Sequence, residues 1–244
     1  MDVRSQKQLI GLFALPAILV GAVAAAAPRS VNDATPKAIP LSDASVIVEV
    51  NATDGDAGLQ VFLDADAWRE MKVFNPAGRK ILDVHTRGRL KNYGLTEFFS
   101  ESSEPPFDEF PIEKFKKLFP EGKYRIVGTT IEGDRVAGRA KLTHEIPEGP
   151  EITAPEEGAI VPAEGAIAEW KAVTKPEGIE IVGYRVIVER EDPLRVFSVD
   201  LPPTAESMTI PPEFLDPGIE YKLEVTAIEA SGNQTLTEVS FVVG

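Results

Sequence analysis

The 244-residue chain has no cysteine, only two histidines, and far fewer basic than acidic side chains, 25 against 39. Without cysteine there is no disulfide, no thiolate metal site, no cysteine nucleophile and no lipidated cysteine. His85 and His144 cannot form a histidine-rich zinc site, and neither has an HExxH-like or HxH neighbour. No GxSxG elbow and no glycine-rich phosphate loop occurs. Carboxylates are plentiful, so a glycosidase-like pair stays open on composition alone. The shortage of positive charge leaves a net charge of -14, which repels phosphate backbones and anionic headgroups. Nucleic acid and direct membrane binding are therefore not expected. The shortage is lopsided: residues 44–148 carry 18 acidic and 15 basic side chains, residues 149–244 carry 18 and 6. A solvated acidic face accounts for the second half.

The N-terminus differs in kind from the rest. Arg4 and Lys7 precede an apolar run from Leu9 to Val23, four alanines at 24–27 and then Pro28. Charge, length and the small-residue exit predict a signal peptide over 1–27, cut within the alanines, and a secreted or periplasmic protein. The run approaches the ~20 apolar residues that span a bilayer, but Gly11, Pro16 and Gly21 inside it favour removal over retention as an anchor. A secreted chain without cysteine points to a bacterial envelope, so the sequons at Asn51 and Asn233 read as chance matches. Residues 28–43, with prolines at 36 and 40 and no periodicity, read as a flexible linker.

From Val46 the pattern turns to short β-branched runs separated by turn residues. Strands are predicted at 46–50, 59–63, 71–74, 80–84, 124–131 and 136–144, with Asn75-Pro76-Ala77-Gly78 as a tight turn. This spacing fits an all-β sandwich over 44–148. One stretch departs from it. Residues 95–119 hold six of the twelve phenylalanines, and Pro111, Ile112, Phe115 and Phe119 stand at helical spacing. An insertion with a short helix across the sandwich is predicted. Phe98, Phe99, Phe107 and Phe110 either plug an open end of the sheets or form an exposed contact surface, and the scarcity of large apolar patches on soluble monomers favours the plug.

A proline- and glycine-containing hinge at 145–151 leads to a second β-rich unit, 149–244, with strands at 152–153, 167–170, 182–189, 196–200, 207–210, 220–227 and 238–243. Trp170, Gly183-Tyr184-Arg185-Val186, Leu215-Asp216-Pro217-Gly218-Ile219-Glu220-Tyr221 and Val225-Thr226-Ala227 resemble the fibronectin type III domain in order and spacing. The resemblance implies that Trp170 and Tyr184 are core residues and that Tyr221 forms a corner whose hydroxyl bonds back to the backbone. The first unit echoes the second: Phe119-Pro120-Glu121-Gly122-Lys123-Tyr124 parallels the segment ending in Tyr221, with one residue of slip. The expected fold is therefore all-β, two tandem immunoglobulin-like sandwiches. The chain as a whole resembles bacterial secreted proteins that end in a fibronectin type III domain, which implies no activity.

The stretch NATDGDAGLQVFLDADAW, residues 51–68, holds aspartates at 54, 56, 64 and 66. Its first part resembles the Ala-x-Asp-x-Asp segment of cadherin repeats, which implies calcium at Asp54 and Asp56. The companion motifs of such a site are missing, and calcium needs six to eight oxygens. Turn chemistry explains more of these residues, with Asp64 and Asp66 closing the strand. The expectation is a non-enzymatic secreted or cell-envelope binding or spacer protein, without catalytic, cofactor or metal residues, whose partner is a protein or polysaccharide. A calcium-stabilised adhesion module and an accessory domain of a polysaccharide-degrading system are the alternatives.

Overall fold

The computed structural model describes residues 38–244, so the expected signal peptide and residues 28–37 of the expected linker lie outside the described residues. No described helix is long and apolar enough to cross a membrane. The described residues form one compact unit with two cores.

The first core is enclosed by β1 (Ile39–Pro40), β2 (Asp43–Asn51), β3 (Asp56–Phe74), β4 (Lys80–His85), α1 (Leu90–Tyr93), β5 (Leu95–Glu101), α2 (Ile112–Leu118), β6 (Gly122–Thr130) and β7 (Arg135–Leu142). β3 organises it. Its first half pairs with β2 and β5 and its second half with β4 and β6, so one strand serves both layers. Val48, Leu63, Trp68, Met71, Tyr124 and Ile126 meet behind it, each fully buried.

Three expectations are corrected here. Asp64 and Asp66 do not close a strand, because β3 runs straight through them. Leu63 and Ala65 point inward while Asp64 is half-buried and Asp66 exposed; this alternation outweighs the turn propensity of aspartate, and an irregularity in the pairing between Asp64 and Trp68 brings Trp68 into the core as well. The linker does not extend to residue 43: Ile39 and Pro40 pair in parallel with Val136 and Ala137, and Leu41 covers Gly138. The insertion at 95–119 is a strand followed by a helix. Its first seven residues are β5, and Pro111 then precedes α2, which buries Phe115. Phe98, Phe107, Phe110 and Phe119 pack half-buried against the core, Phe98 edge-on to Trp68 with ring centroids 6.5 Å apart. Phe99 is half-buried too. They plug the sandwich and offer no broad apolar surface.

The second core lies between β8 (Ile152–Ala154), β9 (Ala159–Val161), β10 (Ile167–Trp170), β11 (Ile181–Arg190), β12 (Arg195–Leu201), β13 (Ser207–Thr209), β14 (Glu220–Glu229) and β15 (Gln234–Val243). Strands β13-β10-β8 form one sheet, and β12-β11-β14-β15 the facing one. Trp170 and Tyr184 meet at 5.5 Å between them. The Tyr184 hydroxyl accepts the Val173 N–H at 2.8 Å.

The Tyr221 hydroxyl accepts the Asp216 N–H at 2.9 Å and donates to the Phe214 carbonyl at 3.1 Å. The echo in the first unit makes the same device in reduced form: the Tyr124 hydroxyl donates to the Pro120 carbonyl at 3.0 Å. Both tyrosines are buried, so each hydroxyl depends on these partners. Tyr221→Phe leaves two backbone groups unpartnered and Tyr124→Phe one. Urea unfolding should show losses of about 2 and about 1 kcal/mol respectively. Equal losses would contradict this account of the two corners.

Candidate functional site at the junction of the two sandwiches

The last strand starts four residues earlier than its sequence pattern indicates, and those four residues make the junction. Gln234, Thr235 and Leu236 of β15 pair in parallel with Glu49, Val50 and Asn51 of β2. The other end of the same edge takes β9, with Phe241 to Val243 opposite Ala159 to Val161. The facing sheet of the second sandwich therefore continues directly into the first.

Asn233, only 1% exposed, locks the joint. Its Oδ1 accepts the Val48 N–H at 2.9 Å, and its Nδ2 protons are shared among the Thr143 carbonyl, the Thr143 hydroxyl and the Glu145 carbonyl at 3.0–3.1 Å. The Thr235 hydroxyl donates to the Pro147 carbonyl at 2.6 Å. Gly149 is required in the connecting segment: a Cβ there would stand 2.6 Å from Ala52 Cβ and from Thr237 Oγ1.

On one face of this joint the registers align polar residues from strands far apart in sequence. Gln234 stands opposite Glu49, Ile47 opposite Gln60, and Gln60 opposite Glu101. Glu49 also stands opposite Gly58, and Glu104 lies where a side chain at 58 would be, its Oε1 2.7 Å from that Cβ position. The segment carrying Glu104 is held along β3 by Ser102 N–H to the Leu59 carbonyl and Phe107 N–H to the Gly55 carbonyl. Oxygens of Glu49, Glu101 and Glu104 all come within 4.8 Å of one another. Gln234 Nε2 donates to Glu49, and Gln60 Nε2 donates to Glu101 Oε1 at 2.8 Å.

Three carboxyls this close, in a face sealed by its own loop, cannot all ionise readily. Burial, with the Glu101 carboxylate adding to it, pushes Glu49 up to about 7 despite the amides of Gln234 and Gln60. Burial, then Glu101, Asp56, Glu49 and Asp54, push Glu104 up to about 8. The arrangement can hold protons near neutrality, and its oxygens are of the hard type that divalent cations use.

Asp54 and Asp56 lie on the β2–β3 hairpin at the rim of this cluster, where they act on Glu104. Asn51 caps the hairpin: its Oδ1 accepts the Thr53 and Asp54 N–H groups at 2.9 and 3.0 Å. Gly55 supplies the left-handed residue, with φ 69°. The two histidines are placed apart. His144 Nε2 bonds the Phe119 carbonyl at 2.8 Å, while His85 sits on β4 with Asp83 at 2.8 Å, in an ion-pair row with Glu70, Lys72 and Lys80.

Sequence reasoning missed Glu49, Gln60, Glu101, Glu104, Asn233 and Gln234. The available signal was a glutamate in the apolar run Val46 to Val50, whose phase alone does not reveal what covers it.

The strand order and the tyrosine corner identify the second sandwich. Residues 149–244 have a fibronectin type III-like fold. Among solved structures, the chain is similar to the FN1-FN3 domains of chicken CNTN1, at 15% identity over 85% of this chain and 65% of that one, with a TM-score of 0.33. It is also similar to a two-domain fibronectin type III segment of chicken tenascin, at 12% identity over 83% and 98% of the two chains, with a TM-score of 0.30. The chain thus spans about two thirds of the CNTN1 structure's length. No protein-family model and no curated protein matches it.

A carboxyl whose pKa rises on folding stabilises the fold while it keeps its proton. Here that contribution is complete below about 4.5 and is lost as pH climbs through about 7 and 8. Stability should therefore fall between pH 5 and pH 8.5, by on the order of 2 kcal/mol once solvent access is allowed for. Glu49→Gln and Glu104→Gln should flatten the profile. A stability that rises over this range would show that the cluster does not hold protons.

Proposed function

We propose that this chain is a non-enzymatic binding and spacer module of the cell envelope or extracellular space, whose two sandwiches move as one body. The observation that carries this reading is the parallel pairing of β15 with β2, which makes the two halves share one sheet. Interfaces within a chain are by default loose enough to permit relative motion. Here backbone hydrogen bonds and the buried amide of Asn233 tie both halves to the connecting residues Thr143 to Pro147. Such a joint sets a fixed distance and angle between the free surfaces of the two units, which is what a spacer requires.

The fixed geometry is open to small-angle scattering. The wild-type protein should give the pair-distance distribution of a single rigid body, and Asn233→Ala should broaden it. The same variant should lose about 2–3 kcal/mol of stability, since several buried groups are left unpartnered. A wild-type curve that requires two independently moving bodies would defeat the spacer reading.

Calcium stabilisation through Asp54 and Asp56 makes a different prediction. With Glu49 and Glu104 raised to about 7 and about 8, a cation at the cluster must displace protons before it binds. At pH 6 millimolar calcium and chelator should give the same melting temperature, and a calcium-dependent rise would favour the adhesion-module reading.

A further inference from the structure

The outward side of β6 and β7 opposes like charges with no counter-charge shared between them, whereas the facing pairs Arg190–Arg195 and Glu224–Glu238 share Asp216 and Lys222 respectively. The register places Lys123 directly opposite Lys141 and Arg125 directly opposite Arg139. All four are exposed, while Tyr124, Ile126, Ala140 and Leu142 alternate with them into the core. Like charges facing each other across an antiparallel pair are destabilising. None of the four makes an ion pair among the described residues. Arg125 instead lies over the ring of Phe74, its guanidinium carbon 4.1 Å from the ring centroid. The protein has 39 acidic side chains from which counter-charges could have been drawn. The acids nearest in sequence stand only at the ends: Glu132 and Asp134 in the β6–β7 turn, Glu121 before β6, and Glu145, which lines a shallow cleft with Lys141.

The shape of the patch restricts what can cover it. It is two strands wide, roughly 10 Å including side chains, and its charged rungs are separated by about 7 Å along the strands. Val127 and Ala137 form the next rung, half-buried and uncharged, and Phe74 lies beside the stripe. Two successive cationic rungs are therefore followed by one uncharged rung along a narrow track. A planar anionic membrane, or a second copy of this acidic chain, would bring its charge against the molecule's overall excess of acidic side chains, 39 against 25 basic, as well as the stripe. A thin, linear polyanion meets the stripe alone.

We infer that the outer face of β6 and β7 binds a linear, carboxylate-bearing polysaccharide, with Lys123, Arg125, Arg139 and Lys141 taking its carboxylates and Phe74 and Val127 meeting its sugar rings. This assignment rests on the binding-module reading above and adds to it a surface and a ligand class. Charge-assisted hydrogen bonds to carboxylates are the strong kind, and arginine's planar fork suits them. In the absence of ligand the four cations repel one another, so the stripe lowers the stability of the free protein.

That last feature makes the test selective. Binding of the whole protein to polygalacturonate and to alginate is measured at low and at physiological salt, with uncharged dextran as control. Arg139→Gln/Lys141→Gln is compared with Lys114→Gln/Lys117→Gln, which removes the same charge from exposed positions on α2. The inference expects wild-type protein to bind one or both polyuronates and not dextran, with affinity falling as salt rises. It expects the β7 variant to lose at least tenfold in affinity while its melting temperature rises by about 1–4 °C without ligand. The α2 variant should keep wild-type affinity. Absence of binding to both polyuronates, equal losses in the two variants, binding to anionic phospholipid vesicles instead, or concentration-dependent self-association abolished by the β7 variant would each overturn it. The scattering curve of the β7 variant, whose joint is intact, reports on the spacer reading separately.

Discussion

The edge of β15 is the constraint on which the structure depends. A final strand with one unpaired edge invites pairing with another chain. Here that edge is divided: its first residues take β2 of the first sandwich and its last take β9 of the second. Because the pairing is parallel, β2 and β15 cannot be joined by a tight hairpin, and the chain between them includes β3 to β7 of the first sandwich and β8 to β14 of the second. The connecting residues 143–149 are then drawn into the joint, where Asn233 and Thr235 satisfy their carbonyls and Gly149 lets two backbones approach. A bead-on-string arrangement would leave the same carbonyls to water. This one uses them as structure.

The joint also creates the chemical oddity of the molecule. Pairing β15 to β2 brings Gln234 beside Glu49, while β3 and β5 bring Gln60 and Glu101 together one rung along, opposite Ile47. Gly58 leaves the space that Glu104 enters. Burial and mutual repulsion favour the protonated forms of Glu49 and Glu104, and two glutamine amides donate to Glu49 and Glu101. The β6–β7 face shows the converse departure: exposed cations face one another with no acid between them. Natural folds tend to violate local consistency where function or assembly requires it. The two departures differ in kind. Protons and amides resolve the first within the fold, whereas nothing among the described residues resolves the second.

Much of the fold was legible in the sequence because it rests on local signals. Alternation marked the strands, Asn75-Pro76-Ala77-Gly78 marked a turn, and the two tyrosines after Pro-Gly or Pro-Glu-Gly segments marked the corners. Pro111 marked the start of α2. The failures have a common cause. Asp64 and Asp66 read as turn residues because aspartate favours turns, yet Leu63 and Ala65 alternate into the core on either side of Asp64 and burial decides. Gln234 and Thr235 fall before the predicted strand at 238–243, but both are buried against the neighbouring sandwich. The phenylalanines of 95–119 were visible as a cluster, and only packing showed that they plug the core rather than line a surface.

By itself, then, the sequence determined the all-β class, the two cores, the corners and the charge imbalance, since these follow from periodicity, turn chemistry and composition. Tertiary structure alone decided which polar residues are buried, which carboxyls meet and which cations oppose one another. The physical reason is register: a cross-strand neighbour is fixed by pairing between segments as much as 185 residues apart, and a shift of one residue would turn every such side chain to the other face.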